Sequence, residues 1–96
     1  MAVRQVAVLG ATGSIGGSTL DVVARHPDRF RASVLAANRD SEGLAALCAR
    51  FRPDLAIVAD PAMEADLSRR LAAAGVRCDV ASGADAVTAA AAGPLC

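Results

Sequence analysis

Seven consecutive residues, Gly10-Ala11-Thr12-Gly13-Ser14-Ile15-Gly16, hold the most legible chemistry in this chain. Three glycines stand at i, i+3 and i+6. The apolar run Val6-Ala7-Val8-Leu9 precedes them and a segment with helical spacing follows. Glycine serves where a turn needs a positive φ or where backbone must approach a ligand closely. The N–H groups at the start of the next helix, around Gly13 to Ile15, are then free to face an anion at the positive end of the helix dipole. Thr12 and Ser14 add hydroxyl donors. Strand, glycine turn and helix in this order make the layout that cradles the pyrophosphate of a dinucleotide. A tight βα turn with no ligand would use the same glycines, so a second feature is needed.

Asn38-Arg39-Asp40-Ser41 supplies it. This loop ends the second expected strand, at the place about 20 residues past the glycine turn where an NAD-preferring fold sets an acidic residue against the ribose 2′-OH. Here the strand runs into Asn38 and Arg39. An arginine suits a 2′-phosphate, which it can grip with two charge-assisted hydrogen bonds while stacking over adenine. The loop therefore favours NADPH over NADH. Asp40 has two readings, ribose contact or N-cap of the next helix. The expected cofactor-binding residues are Thr12, Gly13, Ser14, Ile15, Asn38, Arg39 and Asp40.

Other reactive side chains offer less. His26, the only histidine, stands at a helix end before Pro27, where it serves the helix dipole better than catalysis. Cys48, Cys78 and Cys96 are widely spaced, with no CxxC. They read as reduced thiols rather than as a disulfide framework or zinc site. Arg69 and Arg70 read as a solvated helix face. No catalytic residue and no metal ligand is expected within the chain.

The elements that must position the two loops follow from periodicity. Gln5 to Leu9 is near-continuously apolar, as in a strand covered on both faces. Ser14 to Arg25 reads as a helix with Ile15, Thr19, Val22 and Val23 on one face, widened by Leu20 and Ala24. Arg31 to Ala37 is a second strand. Glu42 to Arg50 is a second helix with Leu44, Leu47, Cys48 and Phe51 in its stripe. Leu55 to Ala59 is a third strand. Asp60-Pro61 starts a third helix that runs to Ala74, with Met63, Leu67, Leu71 and Ala74 inward and Gly75 as its C′ residue. Val76 to Ala81 alternates like a short strand. Ser82, with Asp85 three residues on, reads as the cap of a helix from Ala84 to Ala92 that Gly93-Pro94 ends. The alternation β-α-β-α-β-α-β-α argues for an α/β fold with a doubly wound parallel sheet, Rossmann-like and truncated. Such a half-finished sheet is expected to leave an apolar edge and face uncovered.

Composition sets outer bounds. Ninety-six residues make one domain at most. The apolar share is 54%, but alanine supplies 24 positions and only Phe30 and Phe51 are aromatic. Small side chains bury little area each, so marginal stability is expected. Basic and acidic residues balance at ten each, with no basic block to suggest nucleic acid. No apolar run approaches the roughly 18 residues of a membrane span. Met1 to Gln5 leads straight into a strand, without the pattern of a signal peptide, which fits a cytoplasmic protein.

Val8-Leu9-Gly10-Ala11-Thr12-Gly13-Ser14-Ile15-Gly16, then Ser18-Thr19-Leu20-Asp21-Val22-Val23 and Pro27-Asp28-Arg29-Phe30, resembles the start of the 1-deoxy-D-xylulose 5-phosphate reductoisomerases. Leu35-Ala36-Ala37 and Phe51-Arg52-Pro53 agree more loosely. The resemblance implies an NADPH-dependent enzyme of the non-mevalonate isoprenoid pathway. Such an enzyme rearranges its substrate to an aldehyde and reduces it to 2-C-methyl-D-erythritol 4-phosphate. It implies that the residues matching Thr12, Gly13, Ser14 and Ile15 bind cofactor phosphates and that Asn38, Arg39 and Asp40 form the adenosine-phosphate loop. Many members have Gly, a basic residue and Asn there, so Arg39 carries over more directly than its neighbours. It also implies a homodimer, and a Mn²⁺ or Mg²⁺ site whose carboxylate ligands would lie beyond Cys96. The expectation is an N-terminal, cofactor-binding fragment without catalytic activity of its own. Two other readings stay open: a different NADP-dependent dehydrogenase sharing the glycine turn, and a non-catalytic NADP(H)-sensing module.

Overall fold

A computed structural model describes residues 3–92. The expected end of the last helix at Gly93-Pro94 and the third cysteine, Cys96, lie outside the described residues. Four strands and four α-helices alternate: β1 (Arg4–Val8), α1 (Ser14–Arg25), β2 (Phe30–Ala37), α2 (Ser41–Phe51), β3 (Leu55–Val58), α3 (Glu64–Ala73), β4 (Asp79–Ser82) and α4 (Ala84–Ala92). A 3-10 turn, Pro61–Met63, leads into α3.

The strands form one parallel sheet in the order β1-β2-β3-β4. A chain that steps across a sheet in one direction, with crossovers of one hand, lays its helices on one face. The core follows that rule. Leu20 and Val23 of α1, Leu44 and Cys48 of α2, and Leu67 and Leu71 of α3 share one buried cluster with Leu35, Ala37, Ala56 and Val58 of the sheet. Only α4 lies on the other face, where Ala86, Val87 and Ala90 cover Val34, Ala36 and Ile57. Helices on both faces bear out the doubly wound expectation. The second face is not bare, as the sequence suggested, because α4 shields β2 and β3.

Three local expectations are corrected. The inward stripe of α1 is Gly16, Leu20 and Val23, while Ile15 is 85% exposed and Val22 49%. The helix is rotated because Gly16, lacking a side chain, lets it lie hard against the glycine turn. Val76 does not start β4. It closes α3 instead, its N–H bonding Leu71 O at 2.9 Å just after Gly75 at φ +72°. Ser82 is the last residue of β4 and donates from Oγ to Glu64 Oε1 at 2.7 Å rather than capping α4. β1 is also less buried than a strand covered on both faces, since its first two residues are exposed.

The β1–β2 register slips by one residue between Val6 and Ala7, which pair with Ala32 and Val34. Ser33 is the residue left over. Its carbonyl accepts from Asp54 N at 2.8 Å, and its buried hydroxyl has no partner among the described residues.

Candidate cofactor site

The glycine turn is strapped to the sheet. Ala11 N donates to Ala36 O at 2.7 Å, extending the β1–β2 pairing past the strand end. Gly10 adopts φ +64°, where a side chain would be strained. Gly13 N donates to Gly10 O at 2.9 Å, so this amide closes the turn and is not free for a ligand, contrary to expectation. A Cβ on Gly16 would lie 2.2 Å from Gly10 O and 2.8 Å from Ala11 Cα. Gly16 is therefore required by the contact of helix against turn.

What the turn leaves open is the start of α1. Gly13 is its N-cap residue and supplies no side-chain cap, and the first turn has no acidic residue. The first amides of a helix have no intrahelical acceptor. The other helices on this face treat their starts differently. Asp40 caps α2 through Gly43 N at 2.9 Å, with Glu42 in the first turn. Asp60 caps the 3-10 turn through Ala62 N at 3.0 Å, and Glu64 and Asp66 follow in α3. Thr12, Gly13, Ser14 and Ile15 are all exposed around the uncapped start of α1.

The second expected loop reaches the same end of the sheet. Gly10, Ala36, Ala37, Asn38, Ala59 and Val87 line a cavity of about 250 Å³ there. Carboxyl ends of parallel strands are where this class of sheet takes its ligands. Arg39 is 76% exposed, and its Nε pairs with Asp60 Oδ2 at 3.3 Å. Of the two readings of Asp40, the structure shows the cap. Asp60 was legible only as the start of a helix. Its contact with Arg39 depends on the pairing of Ala37 with Val58, which puts the residues two past each strand level with one another.

Beneath this loop, Asp66 joins the starts of α2 and α3. Its carboxylate accepts from Ser41 Oγ, from Arg69, and from Arg70 Nε at 2.7 Å. The Ser41 hydrogen bond, then Arg70, hold the Asp66 carboxyl below the usual aspartate range. A larger groove of about 520 Å³ opens elsewhere, beside Pro27, Phe30 and Phe51 at the start of β2. Its lining is mainly apolar but includes Arg31 and Arg50, and it contains none of the expected site residues. Among the described residues, no group of three or more His, Cys, Asp or Glu side chains is placed to hold a metal ion. No helix among them is long and apolar enough to cross a membrane.

A parallel sheet whose first helix opens uncapped on a glycine turn, beside a loop bearing an exposed arginine, defines the class of Rossmann-like dinucleotide-binding domains. A family model described as 1-deoxy-D-xylulose 5-phosphate reductoisomerase matches residues 6–95. The chain belongs to that family, whose members are NADPH-dependent oxidoreductases. A reductoisomerase of Xanthomonas euvesicatoria pv. vesicatoria (strain 85-10) is 52% identical over 93 residues, which are 97% of this chain and 24% of that relative. The chain thus spans about a quarter of the length of the curated relatives it matches. The solved reductoisomerase of Zymomonas mobilis in complex with NADPH superposes with a TM-score of 0.86 at 46% identity, covering 94% of this chain and 23% of that one. A DOX-P reductoisomerase in complex with NADPH, fosmidomycin and magnesium superposes with a TM-score of 0.86 at 35% identity, covering 93% and 22%.

Proposed function

We propose that this chain forms the phosphate-holding part of an NADPH site in a 1-deoxy-D-xylulose 5-phosphate reductoisomerase, as the N-terminal part of its Rossmann-like domain. The observation that carries the reading is the uncapped, acid-free start of α1, opening at the same sheet end as the Asn38–Arg39 loop. NADPH, when bound, supplies the hydride that reduces the rearranged aldehyde. The chain's own residues bind and orient. The amides of Ser14 and Ile15 and the helix dipole hold the pyrophosphate, with Thr12 and Ser14 hydroxyls adding donors and Gly13 keeping the approach open. Arg39 takes the 2′-phosphate. Asn38 shapes the wall beneath the adenosine. Asp40 acts on the site through the cap that sets the loop's exit into α2. The chain contributes cofactor binding and no catalytic group. Substrate rearrangement, the divalent metal, Mn²⁺ or Mg²⁺, and the cytoplasmic homodimer are carried over from the family resemblance.

Calorimetric titration of the full chain with NADPH and NADH, beside Arg39→Ala, tests the reading. NADPH is expected to bind more tightly. The variant is expected to lose about 1.5–3 kcal/mol toward NADPH, the worth of a hydrogen bond to a charged group, and little toward NADH. A chain that is folded by circular dichroism and binds neither cofactor would refute it.

A further inference from the structure

We infer that Asp60 is a positioning residue for cofactor selectivity, fixing Arg39 for the 2′-phosphate of NADPH; this rests on the reading of Arg39 given above. Asp60 is tied down before it touches the arginine. Its N–H donates to Asn38 O at 3.0 Å, and its Oδ1 accepts from Ala62 N at 3.0 Å, where Pro61 opens the turn. Ala59 N donates to Ala37 O at 2.9 Å, so the two loops are zipped together past their strands. The remaining oxygen, Oδ2, meets Arg39 Nε at 3.3 Å. Asp60 is thus held at both its backbone and its carboxylate, while Arg39 projects into solvent on a long stem. A long exposed side chain loses rotamer freedom when it grips a ligand. An anchored carboxylate on the Nε side removes part of that cost in advance and leaves the terminal Nη edge for the phosphate. Asp60 needs no contact with the cofactor to do this.

The test measures dissociation constants for NADPH and NADH with the full chain, Asp60→Asn, Arg39→Ala and the double variant. Asparagine retains an oxygen for Ala62 N, so the cap survives and the melting temperature is expected to hold. Asp60→Asn should weaken NADPH binding about two- to fivefold, the scale of an exposed ion pair, and leave NADH unchanged. In the Arg39→Ala background it should do nothing further. Asp60→Ser, which also caps, should repeat the result should the asparagine variant fold poorly. An unchanged or raised preference for NADPH in Asp60→Asn, with the preference abolished by Arg39→Ala, would overturn the inference and spare the reading of Arg39. A preference that survives Arg39→Ala would overturn both.

Discussion

Gly16 and Gly17 are neighbours in α1, yet an added methyl group meets opposite surroundings at the two positions. At Gly16 it would press on the backbone of Gly10 and Ala11, and at Gly17 it meets nothing within 4 Å. Alanine gains about 0.8–1 kcal/mol over glycine in a helix interior. That gain should appear in full at Gly17. At Gly16 a contact of 2.2 Å with a carbonyl oxygen admits no rotamer escape, so helix and turn must part. Overpacking of this kind costs typically about 1–3 kcal/mol and outweighs the propensity gain. Thermal denaturation should therefore show Gly17→Ala stabilised and Gly16→Ala destabilised. NADPH titration should show that only Gly16→Ala weakens binding, because only there does the start of α1 move.

The starts of α2 and α3 are tied together beneath the Asn38–Asp40 loop, through Asp66 and Ser41. Asp40→Ala removes the cap on Gly43 N and should lower stability by about 1 kcal/mol in a denaturant titration. Asp40→Asn, which keeps the acceptor, should restore it. The Asp66 node adds a dependence on pH. Its carboxyl is held below the ordinary value of 3.8 by Ser41 and Arg70, so the folded chain prefers the ionised form more than the unfolded chain does. A depressed carboxyl pKa contributes stability that is fully present above the unfolded value and is lost as pH falls through the folded one. Melting temperatures of the native chain and Asp66→Asn should differ near neutral pH. The gap should begin to close only as pH falls below about 4, the unfolded value, and vanish at the lower pH where the folded carboxylate takes up its proton. A gap that persists unchanged into acid would show that Asp66 does not act through its charge.

Taken whole, the molecule places its thickest packing on the face shared by α1, α2 and α3, with Cys48 fully buried there. Burial, and after it the nearby Cys78 thiol, push the Cys48 thiol up to about 12. The thiolate is the nucleophile, so alkylation of Cys48 near neutral pH should require the chain to open. Its labelling rate with iodoacetamide, followed by peptide mass analysis, should rise with urea in step with global unfolding. The half-buried Cys78 should react earlier. Rapid labelling of Cys48 in the native chain would mean that the α2 face opens locally.

Much of this was legible in the sequence because it rests on local rules. Gly10 to Gly16 announces its turn by spacing. Asp40, Asp60 and Gly75 announce helix ends by type. The alternation of apolar runs with helical stripes is enough for a parallel α/β sheet. The family, too, was legible, because the glycine turn and the following Ser-Thr-Leu-Asp-Val-Val segment occur together. What the sequence could not determine depends on how elements meet. The rotation of α1 that turns Ile15 outward comes from the contact of Gly16 with Gly10, which no periodicity contains. The use of Gly13 N inside the turn depends on where Gly10 O points. Ser82 read as a cap because Ser before a helical run is a cap by type, but pairing with β3 drew it into the sheet and toward Glu64. The placement of α4 alone on the second face shows only in its packing of Ala86, Val87 and Ala90 on Val34, Ala36 and Ile57. The meeting of Arg39 with Asp60, 21 positions apart, follows from the register of β2 on β3. Side-chain spacing along a chain encodes secondary structure and local caps. Register, rotation and strand order are settled only when separate elements compete for the same buried surface, and that competition is tertiary.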